Sequence, residues 1–299
     1  MKLWITCVLV FALVLAPCQG NAMTAMLYQP LSRDREVAVE RWPAIFETVR
    51  AQGVDTLVLQ WSIHGDEFAD DAGHFWLAAR INEARAAGLS IVIGLKADPD
   101  FFTRQEQPNA TLEDYFRQQA RGSALLANRW VKTLGPEAFV GWYLPLEIDD
   151  RRWRDDDARK ILVRYLTQEA IQLKQVSDRP VYVTSFFAGH MAPASYSEML
   201  GQLVRSGVRL WVQDGAGTGK LTSAERALYI RQALTCPKPE ASGIVYEVFR
   251  QTGLDSAFKA EALPAPKAVA ALGQRAGCGG DSVFFELRYL PALQGVFPQ

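Results

Sequence analysis

The sequence lacks an excess of either charge. It contains 32 basic and 33 acidic residues, which gives a formal net charge of −1, and no segment concentrates lysine and arginine into a basic stripe. Proteins that bind nucleic acid usually carry such a cationic surface. We therefore expect no nucleic-acid partner.

Histidine and cysteine are also scarce, with three and four residues respectively among 299. The histidines are scattered and the cysteine spacing fits no zinc pattern, so we predict neither a metal site nor a cofactor. Cys7 and Cys18 lie close to the amino terminus, which leaves Cys236 and Cys278. In an oxidising compartment these two are expected to form a disulfide.

No apolar run reaches the length of about 20 residues that a membrane-spanning helix needs. The longest, Leu3–Ala16, follows Lys2 and precedes Pro17 and small residues up to Ala22. A short positively charged region, an apolar region and a cleavage site with small residues are typical of a secretory signal peptide. We therefore predict a cleaved signal at residues 1–22 and export to the periplasm or the extracellular space.

An alternative for the same segment is a lipoprotein signal, with acylation of Cys18. In either case residues 23–299 are long enough for one large domain with a full core. The sequence does not indicate the oligomeric state.

Residues 23–299 repeat one unit, a β-rich apolar run followed by an amphipathic helix. Eight strands are predicted, at Ala25–Leu31, Val54–Ile63, Leu89–Ala97, Phe139–Ile148, Arg179–Phe187, Val208–Gln213, Gly243–Phe249 and Ser282–Leu290. Seven helices are predicted between them, at Glu36–Gln52, Phe75–Ala87, Thr111–Leu134, Asp156–Val176, Pro193–Ser206, Thr222–Leu234 and Ala265–Ala276. Eight such units favour a single (β/α)8 TIM barrel over a doubly wound open sheet, which usually has fewer strands.

Acidic residues end two of the apolar strands. Glu147 closes the fourth predicted strand and Glu247 lies in the seventh, and alternation of side chains points both into the barrel mouth. Active sites of such barrels lie at the carboxyl ends of the strands. Two carboxylates there, Glu147 and Glu247, predict glycoside hydrolysis, in which one carboxyl group acts as general acid and base and the other as nucleophile. The structural alternative is that these acids are held in salt bridges to Lys96 or Arg288.

Other polar and aromatic residues close the remaining strands or follow them, and we expect them to bind substrate. Sugar rings stack on flat aromatic side chains, and Trp153 in particular lies in a strongly charged loop where a core position is not expected. Asp214 and Glu286 are rivals of Glu247 for the role of nucleophile, and the loop after Asp214 is expected to be flexible and to close over substrate. The predicted binding residues are Gln29, Gln60, Trp61, Lys96, Tyr143, Asp149, Trp153, Trp211, Gln213, Asp214, Glu286 and Arg288.

Four segments resemble a little-characterised bacterial family, a domain of unknown function related to the retaining (β/α)8 glycosidases. They are GVDTLVLQW at 53–61, GWYLPLEIDD at 141–150, WVQDG at 211–215 and FELRY at 285–289. The resemblance implies a glycosidase-like barrel and a carbohydrate substrate, with Glu147 as general acid and base and Glu247 as nucleophile. The retaining enzymes usually have asparagine before the acid of strand four, where this chain has Leu146. A non-catalytic carbohydrate-binding barrel, acting as an accessory factor for an exported polysaccharide, is the alternative function.

Overall fold

The computed structural model describes residues 22–253 and 259–298. Eight parallel strands close into a barrel in which each pairs with the next along the chain and the last pairs with the first. The predicted (β/α)8 barrel is therefore confirmed. The strands are β1 Thr24–Tyr28, β2 Thr56–Leu59, β3 Ser90–Gly94, β4 Gly141–Asp149, β5 Val181–Phe186, β6 Arg209–Gln213, β7 Gly243–Glu247 and β8 Asp281–Phe285.

Among the described residues, seven helices around the barrel correspond to the seven predicted ones, and a further short helix lies at Phe101–Arg104. The seven are α1 Trp42–Ala51, α2 Asp71–Ala86, α3 Asn109–Leu134, α4 Asp156–Val176, α5 Pro193–Val204, α6 Ser223–Ala233 and α7 Ala265–Leu272. The first helix begins at Trp42, not at the predicted Glu36. Pro43 lies in its first turn, the part of a helix that tolerates a residue without an N–H.

Two apolar layers build the core. Outward-facing residues of β4, including Trp142 and Leu144, pack with the helices. Inward-facing residues fill the barrel itself, and these are Ala25, Leu27, Val58, Val92, Tyr143, Tyr182, Trp211, Val245 and Val283. The period-two alternation along β4 thus separates the two layers as the sequence pattern predicts.

Strand β4 is irregular just before Glu147. Its pairing with β5 shifts register between Tyr143 and Glu147, the stretch that contains Pro145. Proline has no N–H to donate to the ladder, so it occurs in sheets mainly at such irregularities. The hydroxyl of Thr184 donates to the free carbonyl of Leu146 at 2.9 Å. The irregularity fixes the backbone immediately before Glu147 at the mouth of the barrel.

Cys236 and Cys278 form the predicted disulfide, with their Cα atoms 5.6 Å apart. They follow α6 and α7 in loops that lead into β7 and β8, so the disulfide lies on the amino-terminal face of the barrel. No helix within the described residues is long and apolar enough to cross a membrane. The predicted signal segment lies outside the described residues except for Ala22, and so does Cys18.

Candidate active site

A cleft of about 760 Å³ opens at the carboxyl ends of the strands. Most of its wall comes from β1, β4, β5, β6, β7 and β8 and the loops that follow them. Five of the predicted site residues line it, namely Gln29, Glu147, Asp149, Gln213 and Glu247. The barrel therefore brings the two predicted catalytic carboxylates to one cleft.

Glu147 lies near the end of β4 and faces this cleft. Within the described part of the chain its carboxylate has no hydrogen bond or ion pair to another group. Burial raises the pKa of Glu147, because the charged form loses hydration, and the ammonium of Lys220 opposes part of this rise. A carboxyl with a raised pKa and no fixed donor can carry the proton that a general acid needs.

Glu247 is the last residue of β7 and only 3% exposed. Its Oε2 accepts hydrogen bonds from the backbone amides of Gly217 at 2.6 Å and Thr218 at 3.2 Å. Burial, and secondarily the charge of Asp214, raise the pKa of Glu247 to about 8, while the two amides oppose this rise. Glu147 adds to the rise, so the two carboxylates influence each other's protonation.

Asp214 supports Glu247 from behind the cleft wall. Its Oδ1 accepts from the backbone amides of Ala216 at 3.0 Å and Glu247 at 3.2 Å, and its Oδ2 lies 3.9 Å from Arg226. Burial raises the pKa of Asp214. Asp214 thus links the loop after β6 to the end of β7, and it does not line the cleft.

The loop after β6 is anchored at Gly217. Its carbonyl accepts from the amide of Gln251 at 2.8 Å, and its amide donates to Glu247. A Cβ at Gly217 would lie 2.7 Å from the carbonyl oxygen of Phe249, so only glycine allows this close approach. The first half of a segment expected to be flexible is therefore tied to β7 and the strand that follows it.

Glu286 is fully buried and lies outside the cleft. Its Oε1 pairs with Arg288 at 2.7 Å and its Oε2 accepts from the amide of Gln29 at 3.2 Å. Arg288 also contacts Asp34 at 3.2 Å. Burial raises the pKa of Glu286 to about 7, and Arg288 opposes this rise. Glu286 and Arg288 hold the backbone of Gln29, and neither faces the cleft as a rival nucleophile or direct ligand would.

Two predicted aromatic contacts lie inside the barrel instead of the cleft. Tyr143 is inside the barrel, where its hydroxyl lies 2.9 Å from Thr184 Oγ1. Trp211 stacks on Tyr182 with ring centroids 4.4 Å apart and donates to Asp281 at 3.0 Å. Both residues are inward-facing but lie below the cleft.

Trp153 corrects the expectation for the charged loop after β4. The residue is fully buried and packs near Phe116, with ring centroids 6.2 Å apart. Its chain turns inward as a 3-10 helix at Arg152–Arg154, so the charged neighbours remain outside while the indole enters the helical layer. Charge in the surrounding sequence did not reveal this inward turn.

Three predicted binding residues that directly follow β2 and β3 lie away from the cleft. Gln60 and Trp61 are buried, and the Trp61 indole donates to the carbonyl of Pro30 at 3.0 Å. Lys96 is exposed in a two-residue strand, Lys96–Ala97, that pairs with Ile63–His64. The structure thus provides no cleft contact for these three candidates.

Several cleft residues escaped the sequence reasoning. Phe102 is 47% exposed and its ring lies 6.3 Å from that of Phe186, between centroids. Both rings line the cleft, as do Arg151 and Lys220. The only signal for Phe102 was an aromatic pair, Phe101 and Phe102, in the polar segment after β3. Within the described residues no group of three or more potential metal-binding side chains comes together.

A closed barrel of eight parallel strands, with a cleft at the carboxyl ends of those strands, defines the molecule as a (β/α)8 TIM barrel. The chain belongs to the family described as "Domain of unknown function (DUF4434)", which matches residues 23–261. The uncharacterised protein YbcH of Escherichia coli K12 is 39% identical over 278 residues, 92% of this chain and 93% of that protein. The resemblance inferred from the sequence segments is thereby confirmed.

Solved structures with the same fold include several enzymes that act on sugars. A putative α-L-fucosidase from Bacteroides thetaiotaomicron has a TM-score of 0.67 at 14% identity, covering 99% of this chain and 95% of its own. An endo-1,4-β-D-mannanase from Thermotoga petrophila has a TM-score of 0.59 at 13% identity, covering 89% and 88%. At such identities the similarity shows a shared barrel fold.

Proposed function

We propose that this protein is a retaining glycoside hydrolase that cleaves a polysaccharide or oligosaccharide. The observation that carries the proposal is the pair of carboxyl groups, Glu147 and Glu247, which face one cleft without an ion-pair partner among the described residues. Aromatic rings at Phe102 and Phe186 provide flat apolar surfaces on which sugar rings can stack.

In the proposed reaction Glu147 gives its proton to the leaving oxygen while the ionised form of Glu247, which predominates above its pKa of about 8, attacks the anomeric carbon. Burial keeps the proton on Glu147 at a higher pH than an exposed carboxyl would allow. The amides of Gly217 and Thr218 fix the direction of the Glu247 carboxylate and favour its charged form. Water then releases the sugar from Glu247, with Glu147 acting as base. Two carboxyl groups supply all the proton and nucleophile chemistry, so the proposed reaction needs no cofactor.

Export remains part of the proposal. The disulfide between Cys236 and Cys278 supports it, because disulfides form and persist in oxidising compartments outside the cytosol. A signal at residues 1–22 would deliver the domain 23–299 to such a compartment. The measurement is the amino-terminal sequence of the protein recovered from the periplasm or medium, with Ala22–Met23 as the expected cleavage site. An amino terminus at Cys18 would instead support the lipoprotein alternative.

The activity test is a screen of purified protein against bacterial and plant polysaccharides, with mass spectrometry of the products. Glu147→Gln is expected to abolish cleavage and to preserve folding, because glutamine keeps the shape of the side chain. Glu137→Gln, at an exposed position outside the cleft, is the matched control and should cleave normally. Sugar binding by the unmodified protein without cleavage would favour the non-catalytic carbohydrate-binding alternative.

The two carboxyl roles can then be separated with azide and an activated aryl glycoside of the sugar identified in the screen. In Glu147→Ala, azide should attack the glycosyl-enzyme and give a glycosyl azide with retained configuration. In Glu247→Ala, azide should replace the nucleophile and give the inverted product. The opposite pairing of variants and products would reverse the two assignments.

A further inference from the structure

We propose that the cleft recognises an anionic sugar chain, one that carries carboxylate groups close to the bond that is cut. This inference rests on the proposed function and names its substrate class. Two basic residues and an aromatic residue lie at the carboxyl ends of three consecutive strands and line the cleft. Arg151 follows β4, Phe186 ends β5 and Lys220 follows β6. We call these three residues the basic arc.

Lys220 places its charge inside the cleft. Its ammonium lies 5.9 Å from the centre of the Phe186 ring, and both residues line the cavity. The positive charge of Lys220 acts on the carboxyl of Glu147 and lowers its pKa. A ligand that reaches the proposed acid therefore also comes near this ammonium. The loop holds Lys220 in place from both sides, through Gly217 on one side and the helix cap at Thr222 on the other.

Arg151 is exposed and lines the opposite end of the arc. Its neighbour Asp149 forms no ion pair with the Arg151 guanidinium; the Asp149 carboxylate accepts instead from the backbone amide of Arg151 at 2.8 Å and from the Gln105 side chain at 2.8 Å. Within the described residues, neither Arg151 nor Lys220 has a carboxylate within ion-pair distance. Basic residues behind the cleft wall do have such partners, as with Arg226 beside Asp214 at 3.9 Å.

The arrangement therefore presents two unpaired cations on either side of an aromatic ring. A sugar ring stacked on Phe186 would place an acidic substituent next to one cation or the other, where it forms charge-assisted hydrogen bonds. Four carboxylates also line the cleft: Glu106, which is exposed and follows the short helix Phe101–Arg104, and the less exposed Glu147, Asp149 and Glu247. None of them belongs to the arc.

The test is calorimetric binding to oligosaccharide pairs that differ only at carbon six, in a Glu147→Gln background that does not cleave them. Suitable pairs are β-1,4-glucuronan with β-1,4-glucan, and β-1,4-mannuronan with β-1,4-mannan. We expect at least one acidic chain to bind more tightly than its neutral counterpart. Lys220→Gln should weaken that binding by about tenfold, the usual scale of one charge-assisted hydrogen bond. Lys238→Gln, on the opposite face of the barrel, should leave it unchanged.

The proposal is overturned if no acidic chain binds more tightly than its neutral partner, or if Lys220→Gln weakens both members of a pair equally. Raising the salt concentration should weaken binding of the acidic chain alone, because salt screens the cations. Cleavage of neutral chains by the unmodified protein, without a preference for acidic ones, would remove this inference and leave the glycosidase proposal intact. Tight binding of acidic chains that the unmodified protein does not cleave would support recognition of anionic chains and contradict the glycosidase proposal.

Discussion

Replacing Glu247 by glutamine should stabilise the protein at alkaline pH. In the folded protein burial and Asp214 raise the pKa of Glu247 from 4.5 to about 8. A carboxyl whose pKa is raised by folding contributes its full stability below pH 4.5, and this contribution is lost as the pH rises through about 8. Glutamine does not titrate, and its oxygen can still accept from the amides of Gly217 and Thr218.

The magnitude follows from the size of the pKa change. Each pKa unit corresponds to about 1.4 kcal/mol, so a rise from 4.5 to about 8 sets a ceiling of about 5 kcal/mol on the gain. We expect Glu247→Gln to match the unmodified protein near pH 4. At pH 9 the variant should exceed it by about 2 kcal/mol or more in free energy of unfolding.

The assay is urea denaturation of both proteins at pH 4, 6, 8 and 9, with unfolding monitored by circular dichroism. Glu198→Gln, at an exposed position of α5, is the matched control and should show no pH-dependent difference. An advantage for Glu247→Gln that is constant across this range would refute the reasoning, because it would mean that packing and not ionisation sets the cost. A destabilised variant at pH 9 would refute it as well.

Further predictions concern the pH profile, the core and the disulfide. Asp214→Asn removes a charge that raises the pKa of Glu247, so the acidic limb of kcat/KM should move to lower pH; an unmoved limb would contradict this coupling. Trp153→Ala should lower the free energy of unfolding by about 3–5 kcal/mol, the usual cost of a large cavity, measured by denaturation; a loss below about 1 kcal/mol would contradict its core position. Cys236→Ser, which leaves Cys278 unpaired, should cost about 2–4 kcal/mol by the same method, and an equal loss in the reduced unmodified protein is the control.

The barrel could be predicted from the sequence because its signals are local. Eight apolar runs separated by amphipathic helices leave few alternative arrangements, and period-two alternation assigns each strand residue to one of two faces. For β4 that alternation correctly separates Trp142 and Leu144 from Tyr143. The same rule gives Glu147 a position in the barrel mouth once the number of strands is known.

The remaining cleft residues depend on loop conformation, which sequence periodicity does not encode. Trp153 turns inward because of a 3-10 turn within a charged loop. Alternation shows that a side chain points into the barrel but not how far it lies from the mouth. Trp211 points inward as the cleft residues do, yet it lies deeper in the barrel, beside Asp281. Lys220 lines the cleft from a loop whose approach to Phe249, just after β7, requires glycine at position 217.

The disulfide encloses a single βα unit. The chain between Cys236 and Cys278 contains β7 with Glu247, two short strands at Phe249–Gln251 and Ala260–Ala262, and helix α7. This ring is closed on the face opposite the cleft, so its cleft-side connection can change in length at a modest entropic cost. The disulfide therefore joins both ends of the unit that carries Glu247, on the face opposite the cleft, whatever the length of its cleft-side connection.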